Sequence, residues 1–127
     1  MRVIGHGVDV VEIASIKEEL DSPNKKWAEQ FCSAAEREQA DSPPVHSRYY
    51  AGRFAGKEAV AKALGTGFAD DITWRTIEIL RHESGAPYVR LRDEALAFAK
   101  ALGITSWLIS ISHCGGITTA SAIAVGE

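Results

Sequence analysis

The sequence predicts an α+β fold in which a mainly antiparallel sheet packs against one long central helix. Three observations carry that reading. The N-terminus is a β-branched run, the middle holds a long alanine-rich helical pattern, and two strand-like runs flank Gly115-Gly116. Residues 1–13 read as a strand, because Val3, Ile4, Val8, Val10, Val11 and Ile13 are β-branched. Gly5 and Gly7 interrupt it where another backbone can pack closely. Ile16–Leu20 and Lys25–Phe31 read as short helices separated by the turn cluster Asp21-Ser22-Pro23-Asn24. Ser33 is placed to cap a further helix, with Glu36 in the capping-box position three residues on, and Asp41-Ser42-Pro43-Pro44 ends it.

The longest helical pattern runs from about Val45 to Leu64 and closes on Gly65-Thr66-Gly67. Its apolar side is dominated by Ala51, Ala55, Ala59 and Ala63 with Phe54, Val60 and Leu64, which lets it pack closely on another element. Thr76–Leu80 and Tyr88–Leu91 read as strands joined by the hairpin signal Glu83-Ser84-Gly85-Ala86-Pro87. Asp93–Leu102 is an amphipathic helix with Gly103 just past its end, and Trp107–Ser112 and Ala120–Val125 are the last two strands.

At 127 residues, 46% hydrophobic and 24% charged, the chain is sized for one domain, residues 1–127, with a core that needs no staples. Collagen-like, low-complexity and disordered classes are excluded by composition. No apolar run approaches the roughly 20 residues that cross a bilayer. Asp9 falls where a signal peptide would need an apolar stretch. Cys32 and Cys114 lie far apart and form no metal-type pair, so they read as free thiols in a reducing cytoplasm. The net charge of −3 argues against wholesale nucleic-acid binding. Basic charge is nevertheless gathered in one place. Arg48, Arg53, Lys57 and Lys62 stand against Glu58 alone between residues 48 and 67, giving +3 there and −6 elsewhere. Such a patch suits a small polyanion or an acidic partner surface.

Three positions invite chemistry. Arg53 and Lys57 are spaced i,i+4, a like-charge pairing that costs an isolated helix roughly 0.2–0.5 kcal/mol. The pattern fits either a solvated helix face or an anion site with Glu58 inside it as a metal-binding carboxylate. Lys62 lies near the helix C-terminus, where the dipole alone would repel phosphate, so a phosphate there needs side-chain cations. Asp9 interrupts the run Val8-Asp9-Val10-Val11. It either faces solvent on an edge strand or, with a second carboxylate from the helix, holds magnesium completed by substrate phosphates. His113 ends the run Leu108-Ile109-Ser110-Ile111-Ser112 ahead of Cys114-Gly115-Gly116, as a structural histidine or a ligand contact. No P-loop, GxSxG or HExxH motif occurs. Taken alone, these features describe a phosphate-binding domain.

Three segments add a family resemblance. Gly5-His6-Gly7-Val8-Asp9-Val10-Val11-Glu12-Ile13 resembles the N-terminal strand of the holo-[acyl-carrier-protein] synthase family. Arg53-Phe54-Ala55-Gly56-Lys57-Glu58-Ala59-Val60-Ala61-Lys62-Ala63-Leu64-Gly65-Thr66-Gly67 is similar to that family's central RFAxKEAxxKAxGTG helix. Ile109-Ser110-Ile111-Ser112-His113 and Ala120-Ser121-Ala122 resemble its C-terminal strand pair. The resemblance spans essentially the whole chain. It implies a 4′-phosphopantetheinyl transferase-like fold and transfer of the 4′-phosphopantetheine arm of coenzyme A to a serine of apo-acyl carrier protein. Adenosine 3′,5′-bisphosphate is the other product, and the reaction serves fatty acid biosynthesis. It further implies magnesium held by Asp9 and Glu58. The chemistry of the step makes Lys62 the candidate to stabilise or protonate the departing phosphate. Coenzyme A, as co-substrate, is then contacted by Arg53, Lys57, Lys62, Gly65, Thr66, Gly67 and His113. A homotrimer with active sites between neighbouring subunits is also implied, and no membrane or nucleic-acid partner. One departure stands out: Ser15 sits about where many members carry an arginine that docks the acidic carrier, and Lys17-Glu18-Glu19-Leu20-Asp21 is acidic as well. Carrier recognition then falls to Arg48 and Lys25-Lys26, or the carrier is less acidic. Two other functions compete with this reading. One is a non-catalytic module binding coenzyme A or a nucleotide. The other is a transferase serving a polyketide or peptide synthase carrier, though those enzymes are commonly about twice this length, as pseudo-dimers.

Overall fold

The computed structural model describes residues 1–23, 26–40, 46–65 and 73–127. Its elements are β1 (Arg2–Glu12), α1 (Ile13–Asp21), α2 (Trp27–Phe31), α3 (Ala34–Glu38), α4 (His46–Leu64), β2 (Ile77–Arg81), β3 (Pro87–Leu91), α5 (Asp93–Ala101), β4 (Ile104–Cys114) and β5 (Ile117–Gly126). A short 3₁₀ turn, Trp74–Thr76, leads into β2. The strands form two antiparallel sheets, one of order β1-β5-β4 and the other the β2-β3 hairpin. The expected fold class therefore holds.

What positions α4 is the absence of side chains between it and β1. An ideal Cβ added to Gly7 would lie 1.9 Å from the carbonyl oxygen of Ala59, and one on Gly5 would lie 2.0 Å from that of Ala63. On the same side, Ala120, Ala122 and Ala124 of β5 join Ala55, Ala59 and Ala63 of α4 in the main core. Strand side chains alternate in direction, so Asp9 shares the face of Gly5 and Gly7 and points toward the helix.

A second cluster clamps the first half of α4. Tyr50 and Ala51 are buried with Ile16, Phe31, Cys32 and Ala40. Phe31 stacks at 4.7 Å on Trp27, 4.3 Å from Trp74 and 5.1 Å from Phe54. Element boundaries shift in places. Ile13, expected to end β1, begins α1, and its N–H donates to the carbonyl of Gly116 at 2.9 Å. The last two strands run longer than expected, because register continues to the turn, where Gly115 and Gly116 adopt φ of 55° and 85°. Two consecutive positive φ values suit the tight hairpin turns whose twist matches the strands, which explains the Gly-Gly pair.

No described element of this chain covers the opposite face of the β1-β5-β4 sheet. Val8 and Val10 are 56% and 63% exposed there, with Val3, Leu108 and Ile117 also exposed. Rows across the sheet such as Val10, Thr119 and Ser112, or Val8, Ser121 and Ser110, make a face of small apolar and hydroxyl groups.

Gly7→Ala should destabilise the fold by about 3 kcal/mol, since carbonyl and Cβ cannot share the space without a backbone shift. Gly52→Ala, whose Cβ meets only side-chain atoms at 3.5 Å or more, should change stability by less than about 1 kcal/mol in either direction. Urea midpoints of the two variants test this, and equal midpoints would contradict the packing argument.

Candidate active site

Asp9, Glu58 and Lys62 come together where β1 meets the second half of α4. Lys62 Nζ donates to Asp9 Oδ1 at 3.1 Å and to the Val8 carbonyl at 2.9 Å. Glu58 and Lys62 are one helical turn apart, and the Gly7–Ala59 contact fixes how that turn faces β1. The Asp9 side chain is only 16% exposed, and its Oδ2 is buried without a hydrogen-bond partner among the described residues. Burial pushes the Glu58 carboxyl above its usual range, the Asp9 charge adds to that, and Lys62 opposes it. Asp9 and Lys62 therefore both lie close enough to Glu58 for their charges to act on its carboxyl, and one Asp9 oxygen is uncommitted among the described residues.

That donor set fits a hard divalent cation. Magnesium is commonly held by one or two carboxylates, with waters and substrate phosphates supplying the rest. No cluster of three or more His, Cys, Asp or Glu suited to a metal exists among the described residues.

The first half of α4 presents a different charge environment. Arg53 is 6% exposed, its guanidinium lies 4.4 Å over the Tyr49 ring, and its Nε and Nη1 meet no acceptor among the described residues. His113 approaches Gly52 of the same helix, and its Nδ1 is 2.7 Å from Thr118 Oγ1. Burial lowers the His113 pKa, and the charges of Arg48 and Arg53 lower it further. A cavity of about 290 Å³ opens here between Arg48, His113, Cys114 and Ile13. Gly65 caps α4 with φ of 82°, its N–H donating to the Lys62 carbonyl at 3.0 Å. Thr66 and Gly67, expected beside it, lie outside the described residues.

Lys57 departs from expectation. It is 0% exposed, and Nζ donates to Glu36 Oε1 at 2.6 Å, to the Trp74 carbonyl at 2.8 Å and to the Ile77 carbonyl at 2.5 Å. An ammonium has three donors, so none remains for a phosphate. The i,i+4 spacing with Arg53 reflects a shared buried side rather than a shared ligand surface. Its partner is not legible in the sequence pattern, because Glu36 lies 21 residues away and already has a role in the capping box. That box is formed, with Ser33 N–H donating to Glu36 Oε1 at 2.9 Å and Glu36 N–H donating to Ser33 Oγ at 3.2 Å. Glu36 Oε2 also accepts from the Ile79 N–H at 2.9 Å. Cys32, beside this pair, is a core thiol whose pKa burial pushes up to about 12.

Comparison with known proteins places this geometry in context. Residues 5–113 match the model of the 4′-phosphopantetheinyl transferase superfamily. The holo-[acyl-carrier-protein] synthase of Maridesulfovibrio salexigens is 45% identical over 126 residues, which cover 98% of each chain. The crystal structure of the holo-[acyl-carrier-protein] synthase of Neisseria meningitidis is similar at a TM-score of 0.89 with 26% identity, covering 98% of this chain and 99% of that one. The Helicobacter pylori enzyme of the same name, crystallised in complex with coenzyme A, matches at 0.82 with 31% identity, covering 94% and 99%.

Lys57→Met should cost about 3–5 kcal/mol of stability, because it strands the buried Glu36 charge. Adding Glu36→Gln should recover a large part of that loss. Chemical denaturation of the wild type, both single variants and the double variant tests this. Unchanged stability with weaker coenzyme A binding in Lys57→Met would return the residue to the ligand surface.

Proposed function

The chain belongs to the 4′-phosphopantetheinyl transferase superfamily, and we propose that its Asp9, Glu58 and Lys62 are the residues that carry the transfer. The activity is that of a holo-[acyl-carrier-protein] synthase. The 4′-phosphopantetheine arm of coenzyme A passes to a serine hydroxyl of apo-acyl carrier protein, leaving adenosine 3′,5′-bisphosphate. The observation that supports the residue assignment most is the buried Asp9 Oδ2, without a hydrogen-bond partner among the described residues, on a carboxylate whose charge acts on Glu58.

Asp9 and Glu58 are the residues that would hold magnesium. When bound, the ion neutralises charge on the pyrophosphate oxygens and orients the phosphoryl group. The side chains do the remaining work. The serine oxygen forms a bond to the β-phosphorus while the bond to the adenosine bisphosphate oxygen breaks, and negative charge grows on that departing oxygen. Lys62, on a long side chain tethered at Val8 and Asp9, is the donor within reach of it. The serine proton goes to Asp9 directly, or to a water held by Asp9 or Glu58.

Arg53, Arg48, His113 and Gly65 form the coenzyme A contacts in this reading, joined by Thr66 and Gly67. Lys57 is assigned to the core. Residues 1–127 act as one transferase domain. Carrier docking rests on Arg48 and Lys26, because α1 is acidic and its Lys17 is already paired with Asp21 at 2.5 Å. The uncovered face of the β1-β5-β4 sheet supports a homotrimer with active sites between subunits. Its apolar rows need a partner surface, and His113 lies near one end of them. No described helix is long and apolar enough to cross a membrane. The free state of Cys32 and Cys114 supports a cytoplasmic location.

Intact-mass analysis of apo-acyl carrier protein incubated with this protein, coenzyme A and magnesium should show the gain of one phosphopantetheine arm. Chelator, Asp9→Ala or Glu58→Ala should abolish it, and Lys62→Ala should lower kcat by about 10²–10³-fold. Coenzyme A binding without transfer to any carrier would favour a non-catalytic binding module instead. Light scattering should give a trimer mass for the wild type and a smaller species for Val10→Arg. A monomeric wild type would refute the assembly.

A further inference from the structure

A cavity of about 400 Å³ lies apart from the Asp9–Glu58–Lys62 cluster, where the start of α3, the 3₁₀ turn and the start of α5 meet. Its lining includes Arg37 of α3, Arg75 of the turn and Arg92 at the head of α5, with the hydroxyl residues Ser33, Thr73 and Thr76. We propose that this cavity is a binding site for a single phosphate-type anion, held by the guanidiniums of Arg37, Arg75 and Arg92.

The charges are the first support. The three arginines come from separate elements of a chain whose net charge is −3, so their convergence is not a matter of composition. Gathering like charges costs free energy unless counter-charge offsets it. Neither Arg37 nor Arg75 has a carboxylate partner among the described residues. The Nε of Arg37 is buried without an acceptor. Arg92 Nη1 stands 3.8 Å from Glu78 Oε2, beyond hydrogen-bond reach, while Arg90 takes the other oxygen of that buried carboxylate at 2.6 Å. Guanidinium forks match the oxygens of a phosphate or carboxylate.

The backbone adds donors at the same place. Arg92 is the N-cap residue of α5 and makes no side-chain cap, so the first N–H groups of that helix lack such a partner. Asp93 and Glu94 also line the cavity, and both are exposed. The lining thus sets three guanidiniums against two carboxylates. A compact anion can sit among the guanidiniums and leave these carboxylates to solvent, whereas an extended polyanion would run onto them. The volume lies within the roughly 300–1,000 Å³ typical of small-ligand sites.

Titration of the full chain with inorganic phosphate at constant ionic strength, followed by calorimetry, tests the proposal. Lys62→Ala and Arg53→Gln variants report on the active site, and Arg37→Gln/Arg75→Gln reports on the cavity. Saturable binding to the wild type should persist with affinity changed less than twofold in Lys62→Ala and Arg53→Gln, and should weaken at least tenfold in the double variant. Arg75→Glu, at an exposed position, should also weaken binding at least tenfold with an unchanged circular dichroism spectrum. That keeps the test decisive if the double variant does not fold. The absence of saturable binding would overturn the proposal. So would binding that is lost in Lys62→Ala or Arg53→Gln and retained in Arg75→Glu.

Discussion

The contact on which the rest of the structure depends is the direct seating of the α4 backbone on β1 at Gly5 and Gly7. With carbonyl oxygens of Ala59 and Ala63 about where a Cβ would stand, helix and strand are separated by backbone alone. Packed interiors deform little, so this closeness fixes both the separation and the axial position of α4. The functional geometry follows from it. Asp9 is two residues beyond Gly7 on the same face of the strand, and Glu58 is the residue before Ala59. Lys62 reaches back across the junction to the Val8 carbonyl and Asp9. A larger residue at either glycine would lift the helix and separate the carboxylates before any catalytic side chain had been changed.

Axial position alone does not set how α4 is rotated about its axis, and here the Lys57–Glu36 pair matters. Burying both charges carries a desolvation cost of several kcal/mol per ion. It is offset only because every donor of the ammonium and both oxygens of the carboxylate are engaged. The arrangement ties α4 to α3, to the turn before β2 and to β2 itself. Because Lys57 precedes Glu58, holding the ammonium on the β2 side holds the neighbouring carboxylate on the β1 side. A hydrophobic pair of similar volume would contribute as much to stability, but it would not define one angular setting so narrowly.

Much of this was legible in the sequence, and the parts that were not share a cause. The long helix, the hairpins, the Ser33–Glu36 capping box and the glycines for close approach are local patterns. Asp9 was legible as a carboxylate out of place in a β-branched run. The burial of Lys57 is not legible, because a charge count and a helical spacing cannot show a counter-ion 21 residues away. The start of α1 at Ile13 was hidden because a β-branched residue reads as strand until the sheet register shows where pairing ends. The outer face of the sheet was equally hidden. Val8 and Val10 look like core residues, and only the position of α4 on the other side reveals that the described residues leave them uncovered.

Electrostatics divides α4 into two working halves. Toward its C-terminus two carboxylates share one lysine, an arrangement left short of positive charge that a divalent cation would supply. Toward its N-terminus Arg48 and Arg53 stand beside His113, whose pKa burial and these two charges both lower. That imidazole is therefore held neutral at physiological pH while the site is empty of anions, its Nδ1 engaged with Thr118 Oγ1. An incoming phosphate would offset the two guanidiniums and so remove part of what disfavours the imidazolium. Anion binding and proton uptake at His113 are thus linked in sign, each favouring the other. The basic half of the helix responds to its ligand by gaining charge, whereas in the acidic half burial and the Asp9 charge both disfavour the ionised Glu58, and a cation there would favour it. One rigid helix thereby carries two sites whose ligands, an anion and a cation, each reinforce the protonation state that binds them.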